Sequence, residues 1–133
     1  MKKIAILFAL CVFLLCGCKY DRGIILFNTQ PITRENALHD SKVFESGQRV
    51  YYFFIAPKRM NNSYIRVQVS KMTDKAPWGG YEVRRTKDVR LMKDERYYHT
   101  DYFTLYESGR YLMQVFSSDD FQHPLSIGDF YVK

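Results

Sequence analysis

Along residues 64–71 (YIRVQVSK) apolar and polar positions alternate without a break: Ile65, Val67 and Val69 fall on one side, Arg66, Gln68 and Ser70 on the other. A period of two puts one face in a core and the other in solvent, which is the pattern of a β-strand. Residues 48–56 (QRVYYFFIA) are apolar almost throughout, which predicts a strand covered on both faces or a central strand of a sandwich. Further β-like runs occupy 23–27, 81–84 with 89–91, 97–106, 110–117 and 125–132. Turn-forming stretches such as 57–63, 73–80 (TDKAPWGG) and 118–123 separate them. Thr86-Lys87-Asp88 reads as an interruption, and 97–106 with 110–117 as a hairpin across Glu107-Ser108-Gly109. Residues 33–41 read as a loop or one short turn. No segment holds a 3.6-residue apolar period, and there is no internal repeat. Seven to eight short strands at near-regular spacing predict an all-β, antiparallel sandwich, with a small β-barrel as the competing fold.

The stretch Phe103-Thr-Leu105-Tyr-Glu-Ser-Gly109-Arg-Tyr111-Leu-Met-Gln-Val115 narrows this. It resembles the E–F region of immunoglobulin-like domains, where a tyrosine two positions after a glycine begins strand F and its hydroxyl bonds back across the corner. The resemblance makes Tyr111 that structural tyrosine, with Met113 and Val115 on the same inward face. Met113 stands where antibody domains carry a disulfide cysteine. The connection from Leu105 to Gly109 is shorter than in antibody domains and is more similar to bacterial immunoglobulin-like or fibronectin type III-like modules. The likeness covers roughly residues 45–133.

The amino terminus has a different pattern. Met1-Lys2-Lys3 is followed by an uncharged, proline-free run over residues 4–15. A basic start and an apolar stretch of about 7–15 residues mark a secretory signal, whereas a membrane span needs about 20. All three cysteines, Cys11, Cys16 and Cys18, lie here. Leu15-Cys16-Gly17-Cys18 resembles the bacterial lipobox. That family's chemistry implies a diacylglycerol thioether on Cys18, cleavage just before it and acylation of the new amino terminus. The implied organisation is a signal peptide at 1–17, lipidated Cys18 with a tether over 18–23, and a single immunoglobulin-like domain over 24–133. Each buried methylene of an acyl chain contributes about 0.8 kcal/mol and one chain holds only marginally, so two or three hold durably. Lys19, rather than the aspartate that retains enterobacterial lipoproteins at the inner membrane, favours the outer membrane. The mature domain has no cysteine for a disulfide, for catalysis or for a metal. It must cohere by packing, which a chain of roughly 115 residues can do.

Composition reinforces the strand reading: the chain contains 11 Tyr, 10 Phe and one Trp, with only 7 Gly and 4 Pro. Its net charge of +6 includes Lys2 and Lys3, so the mature chain carries 18 basic and 14 acidic residues, a net +4. The basic residues are interspersed with acids, and the densest group, Arg84-Arg85-Thr86-Lys87 with Arg90, includes Glu82 and Asp88. Without a basic stripe or a matching motif, nucleic acid is excluded as the expected partner. His39, His99 and His123 lack zinc-ligand spacing, despite Asp40, Asp101 and Asp119-Asp120 nearby. No nucleophile elbow, phosphate loop or H-E-x-x-H motif occurs, so neither a catalytic residue nor a cofactor or metal site is expected. Asn61-Asn62-Ser63 matches a glycosylation acceptor, which means little behind a bacterial lipobox.

Two features remain for binding. With Phe103 and Leu105 facing the core, Tyr98, Thr100, Tyr102, Thr104 and Tyr106 turn outward together. Such a row offers apolar area with polar tips to a sugar ring or a protein, and equally serves as ordinary cross-strand pairing. Trp78-Gly79-Gly80-Tyr81 contains the only tryptophan, either a binding tip or a side chain folded onto the core edge. The expectation is a lipid-anchored envelope module that binds or scaffolds another envelope protein. The alternative is a glycan-binding module using the tyrosines.

Overall fold

The computed structural model describes residues 21–75 and 80–133. The strands are β1 (Ile24–Asn28), β2 (Val43–Phe44), β3 (Arg49–Ile55), β4 (Tyr64–Met72), β5 (Tyr81–Arg90), β6 (Tyr98–Thr104), β7 (Gly109–Ser117) and β8 (Ser126–Val132). They form a three-stranded sheet, β1-β3-β6, facing a five-stranded sheet, β2-β8-β7-β4-β5. All pairs are antiparallel except β2 with β8, which is parallel. This is an immunoglobulin-like sandwich.

Period two in each strand builds the core. Val50, Tyr52 and Phe54 of β3 meet Ile65, Val67 and Val69 of β4 and Tyr111, Met113 and Val115 of β7, all buried. Phe130 of β8 is the aromatic centre: Phe27 lies 4.8 Å away, Phe103 5.7 Å, Phe44 5.8 Å, and Tyr111 stacks on it at 5.5 Å. Such contacts add to the area buried and fix ring orientation. Gly128 leaves room for this cluster, because a Cβ there would stand 2.9 Å from Phe27 Cε2.

Two expectations are corrected and one strand is added. Residues 97–106 and 110–117 do not form a hairpin: β6 pairs with β3 and β7 with β4 and β8, so the turn at 105–108 carries the chain between sheets. Gly109 takes φ +148° at this corner, and the Tyr111 hydroxyl donates to the Glu107 carbonyl at 2.7 Å. Thr86-Lys87-Asp88 is no interruption, since β5 runs through it and shifts register only opposite Val69 and Ser70. The charges there have a geometric cause. Arg85 and Lys87 pair with inward Val69 and Val67, but the facing sheet has only three strands, so β5 overhangs it and its inner side meets water. Finally, β2 was not foreseen; Val43 and Phe44 pair with Tyr131 and Val132. The segment between β1 and β2 is a loop with a turn at 34–38.

Candidate functional site

The outer face of the three-stranded sheet is the candidate site. Register aligns Ile24 with Ile55 and Ile55 with Tyr98, then Leu26 with Phe53 and Phe53 with Thr100, then Tyr51 with Tyr102. Each of these residues alternates with a buried neighbour, so all turn away from the core. Neither Ile24 nor Tyr102 is covered, at 53% and 46% exposed. Ring contacts make the face one surface: Phe53 meets Tyr98 edge-on at 5.9 Å, and Tyr51 lies 5.4 Å from Tyr102. Arg49 closes one end, with its guanidinium 4.8 Å from the Tyr102 ring centre and Nη1 donating to the Tyr51 hydroxyl at 3.5 Å. Those two tyrosines hold the guanidinium above its ordinary pKa.

The opposite outer face differs in chemistry. Arg66 is paired with Asp88 through two bonds of 2.8 and 3.1 Å, Arg110 with Asp129 at 3.0 Å, and Gln68 lies opposite Thr86 and Gln114. Asp88 is held below the usual carboxylate range by its bond to Arg66. That face is mixed, because Val43, Tyr64 and Tyr131 are also 48%, 45% and 47% exposed on it and the Arg66 guanidinium lies 4.2 Å from the Phe121 ring centre. The outward strand positions of the three-stranded sheet differ in carrying no carboxylate.

Of the residues expected to bind, Tyr98, Thr100, Tyr102 and Thr104 share the outward side of β6. Tyr106 lies past the end of that strand, 74% exposed, where Ser46 Oγ donates to its carbonyl. Tyr81 begins β5 opposite Met72, in the other sheet, so it does not join the row. Trp78 and Cys18 lie outside the described residues. The row's β1 and β3 neighbours, Leu26, Tyr51, Phe53 and Ile55, were missed as surface residues. The signal was the apolar run 48–56, whose second apolar face is uncovered rather than packed under another layer.

Edge strand β6 is closed by side chains. Arg85 Nη1 donates to the Thr104 carbonyl at 3.4 Å, the Tyr102 amide donates to Asp101 Oδ1 at 2.8 Å, and Lys87 Nζ lies 2.7 Å from Asp101 Oδ2. Partial burial pushes the Asp101 carboxyl up, but Lys87 and the Tyr102 amide outweigh it and hold the carboxyl below its ordinary range. Charged side chains on an edge obstruct strand addition.

The histidines are separate. His39 lies 3.1 Å from Ser41 Oγ, His123 3.1 Å from Asp120, and buried His99 places Nδ1 2.8 Å from Glu95 Oε2 with Nε2 unpartnered among the described residues. Among those residues no three His, Cys, Asp or Glu side chains group to hold a metal, and no helix is long and apolar enough to cross a membrane.

No protein-family model matches the chain, and no curated protein matches it. Solved structures do resemble it. The soluble domain of PmoD from Methylocystis sp. superposes over 88% of this chain and 95% of its own length, with a TM-score of 0.51 and 12% identity. An immunoglobulin-like protein from Pseudomonas aeruginosa covers 84% and 93%, with a TM-score of 0.47 and 11% identity. At such identities the likeness concerns the fold.

Proposed function

We propose that this chain is a non-catalytic binding or scaffolding module of the bacterial cell envelope. Acylated Cys18 holds it to a membrane, the outer membrane being favoured, and another envelope protein docks on the outer face of the β1-β3-β6 sheet. The observation that carries this reading is the aromatic cluster on that face, where the Phe53–Tyr98 and Tyr51–Tyr102 ring pairs adjoin and Arg49 lies over Tyr102. Ile24, Tyr98 and Tyr102 are exposed there, and Leu26, Phe53 and Ile55 lie half-buried beside them. No outward strand position of this sheet is a carboxylate, whereas the opposite face mixes ion pairs with exposed Val43, Tyr64 and Tyr131. Contiguous exposed apolar surface rimmed by polar groups marks interaction sites, and tyrosine and arginine are enriched where proteins meet. Arg49 stacked on Tyr102 gives the face an anchor of that kind.

A second reading has its own observation. Tyr98 and Tyr102 are 41% and 46% exposed, with the Thr100 hydroxyl between them on the same side, an arrangement that suits a saccharide ring with hydrogen-bonding edges. A photocrosslinking residue at position 100, in cells of the native host, separates the two. Protein docking predicts one discrete protein adduct at 100 and none from the same probe at position 86 on the opposite face. An adduct that is protease-resistant and contains sugar favours the glycan. Equal labelling from both positions contradicts both readings.

A further inference from the structure

The root of the tether is fixed to one end of the sandwich. The Gly23 amide donates to the Leu125 carbonyl at 2.8 Å, and a Cβ on Gly23 would stand 2.1 Å from the Ile55 carbonyl and 3.1 Å from Pro57 Cδ. The backbone therefore passes flush against the β3–β4 connection and is pinned to the β7–β8 connection. Asp21 lines a cleft of about 580 Å³ between those two loops, with Pro57, Asn62, Asp119 and His123. The β5–β6 connection joins the same end: the Met60 amide donates to the Arg96 carbonyl and the Leu91 amide to the Ser63 carbonyl, at 2.8 and 2.7 Å.

Only three residue steps separate Asp21 from Cys18, a reach of about 10 Å when fully extended. A lipid on Cys18 therefore leaves this end no room to stand far off a bilayer. The surface chemistry agrees. Met92 and Tyr97 are 63% and 56% exposed on the β5–β6 connection. Lys58, Arg59 and Lys93 have no carboxylate within salt-bridge distance among the described residues. Acids are present too, with Asp119 bonded to Ser117 and Asp120 to His123. Exposed tyrosine and methionine among charges of both signs suit a zwitterionic headgroup layer, where amphipathic rings settle, better than a purely anionic surface.

We infer that the β3–β4, β5–β6 and β7–β8 connections form a membrane-apposed face, seated among phospholipid headgroups by Met92 and Tyr97, with the Gly47 and Glu107 turns at the far end. β3 alone separates the two ends by about 20 Å at 3.3 Å per residue. The inference rests on acylation of Cys18. It goes beyond that reading in fixing which way the domain stands, and it leaves the β1-β3-β6 face upright and accessible to a partner.

The cysteine-free mature domain allows a clean test. Full-length protein from native-host membranes, verified as acylated by intact mass, is reconstituted into phosphatidylethanolamine–phosphatidylglycerol vesicles. Single cysteines replace Asn61 and Met92 at the anchored end, and Ser46 and Ser108 at the far end; each carries a fluorophore read against headgroup-nitroxide lipid. Quenching several-fold stronger at 61 and 92 than at 46 and 108 is expected. Equal quenching at both ends of acylated protein overturns this inference alone. An unacylated chain overturns the anchor and the inference together.

Discussion

The Gly23 amide and the Leu125 carbonyl lie 2.8 Å apart, and this bond makes Gly23, ahead of β1, part of the folded domain. Gly23 holds its place for want of a side chain. Gly23→Ala puts a methyl 2.1 Å from the Ile55 carbonyl, so the backbone at 23 must move and the bond to Leu125 is lost. Overpacking of this kind costs about 1–3 kcal/mol. The urea midpoint of Gly23→Ala is expected to fall accordingly, and an unchanged midpoint contradicts the clamping of Gly23.

Tyr111 acts through both ring and hydroxyl. Its ring stacks on Phe130, and its hydroxyl holds the Glu107 carbonyl at the inter-sheet corner. Tyr111→Phe keeps the stack and loses one hydrogen bond, a loss of about 1 kcal/mol. Tyr111→Ala also empties core volume and costs about 3–5 kcal/mol, as for other large aromatics. Urea unfolding of the pair separates the two contributions; equal losses would mean the hydroxyl carries the corner.

Alkaline stability depends on Tyr52. Burial raises its pKa above the ordinary value, and Asp101 and Glu95 add to the effect. Below about pH 10 the phenol is neutral in both folded and unfolded chains, so its contribution is intact. Above about pH 10 only the unfolded chain ionises there, and stability falls by about 1.4 kcal/mol per pH unit through this group until the folded pKa is reached. Urea titrations between about pH 10 and 12 should show that slope, reduced in Tyr52→Phe. An identical slope in the variant contradicts the assignment.

The β6 edge predicts an association phenotype. Arg85 and Lys87 reach across from β5 to the Thr104 carbonyl and to Asp101. The double substitution Arg85→Val, Lys87→Val removes both barriers while keeping strand-forming residues. Light scattering is expected to reveal concentration-dependent self-association absent from the parent chain. A variant that stays monomeric at all concentrations shows the edge needs no guard.

Much of the fold was legible because alternation is a local signal: β4 and β7 could be read directly from residues such as Val67 and Met113. The overhang of β5 was not, since Arg85 and Lys87 on a core-side face make sense only once the opposing sheet is known to stop short. A two-residue strand such as Val43–Phe44 lies below the length at which any period can be seen. The tyrosines of β6 could be placed on one side by counting. Their apolar partners Phe53 and Ile55 could not be placed at a surface, because a run apolar on both faces looks the same covered or bare.

Acylation of Cys18 is tested most directly by the intact mass of the protein extracted from its native host. A chain beginning at Cys18 and heavier than the polypeptide by a diacylglyceryl group, usually with a further acyl chain, is expected. A chain that retains its leader, or is cut elsewhere and carries no fatty acid, would contradict it.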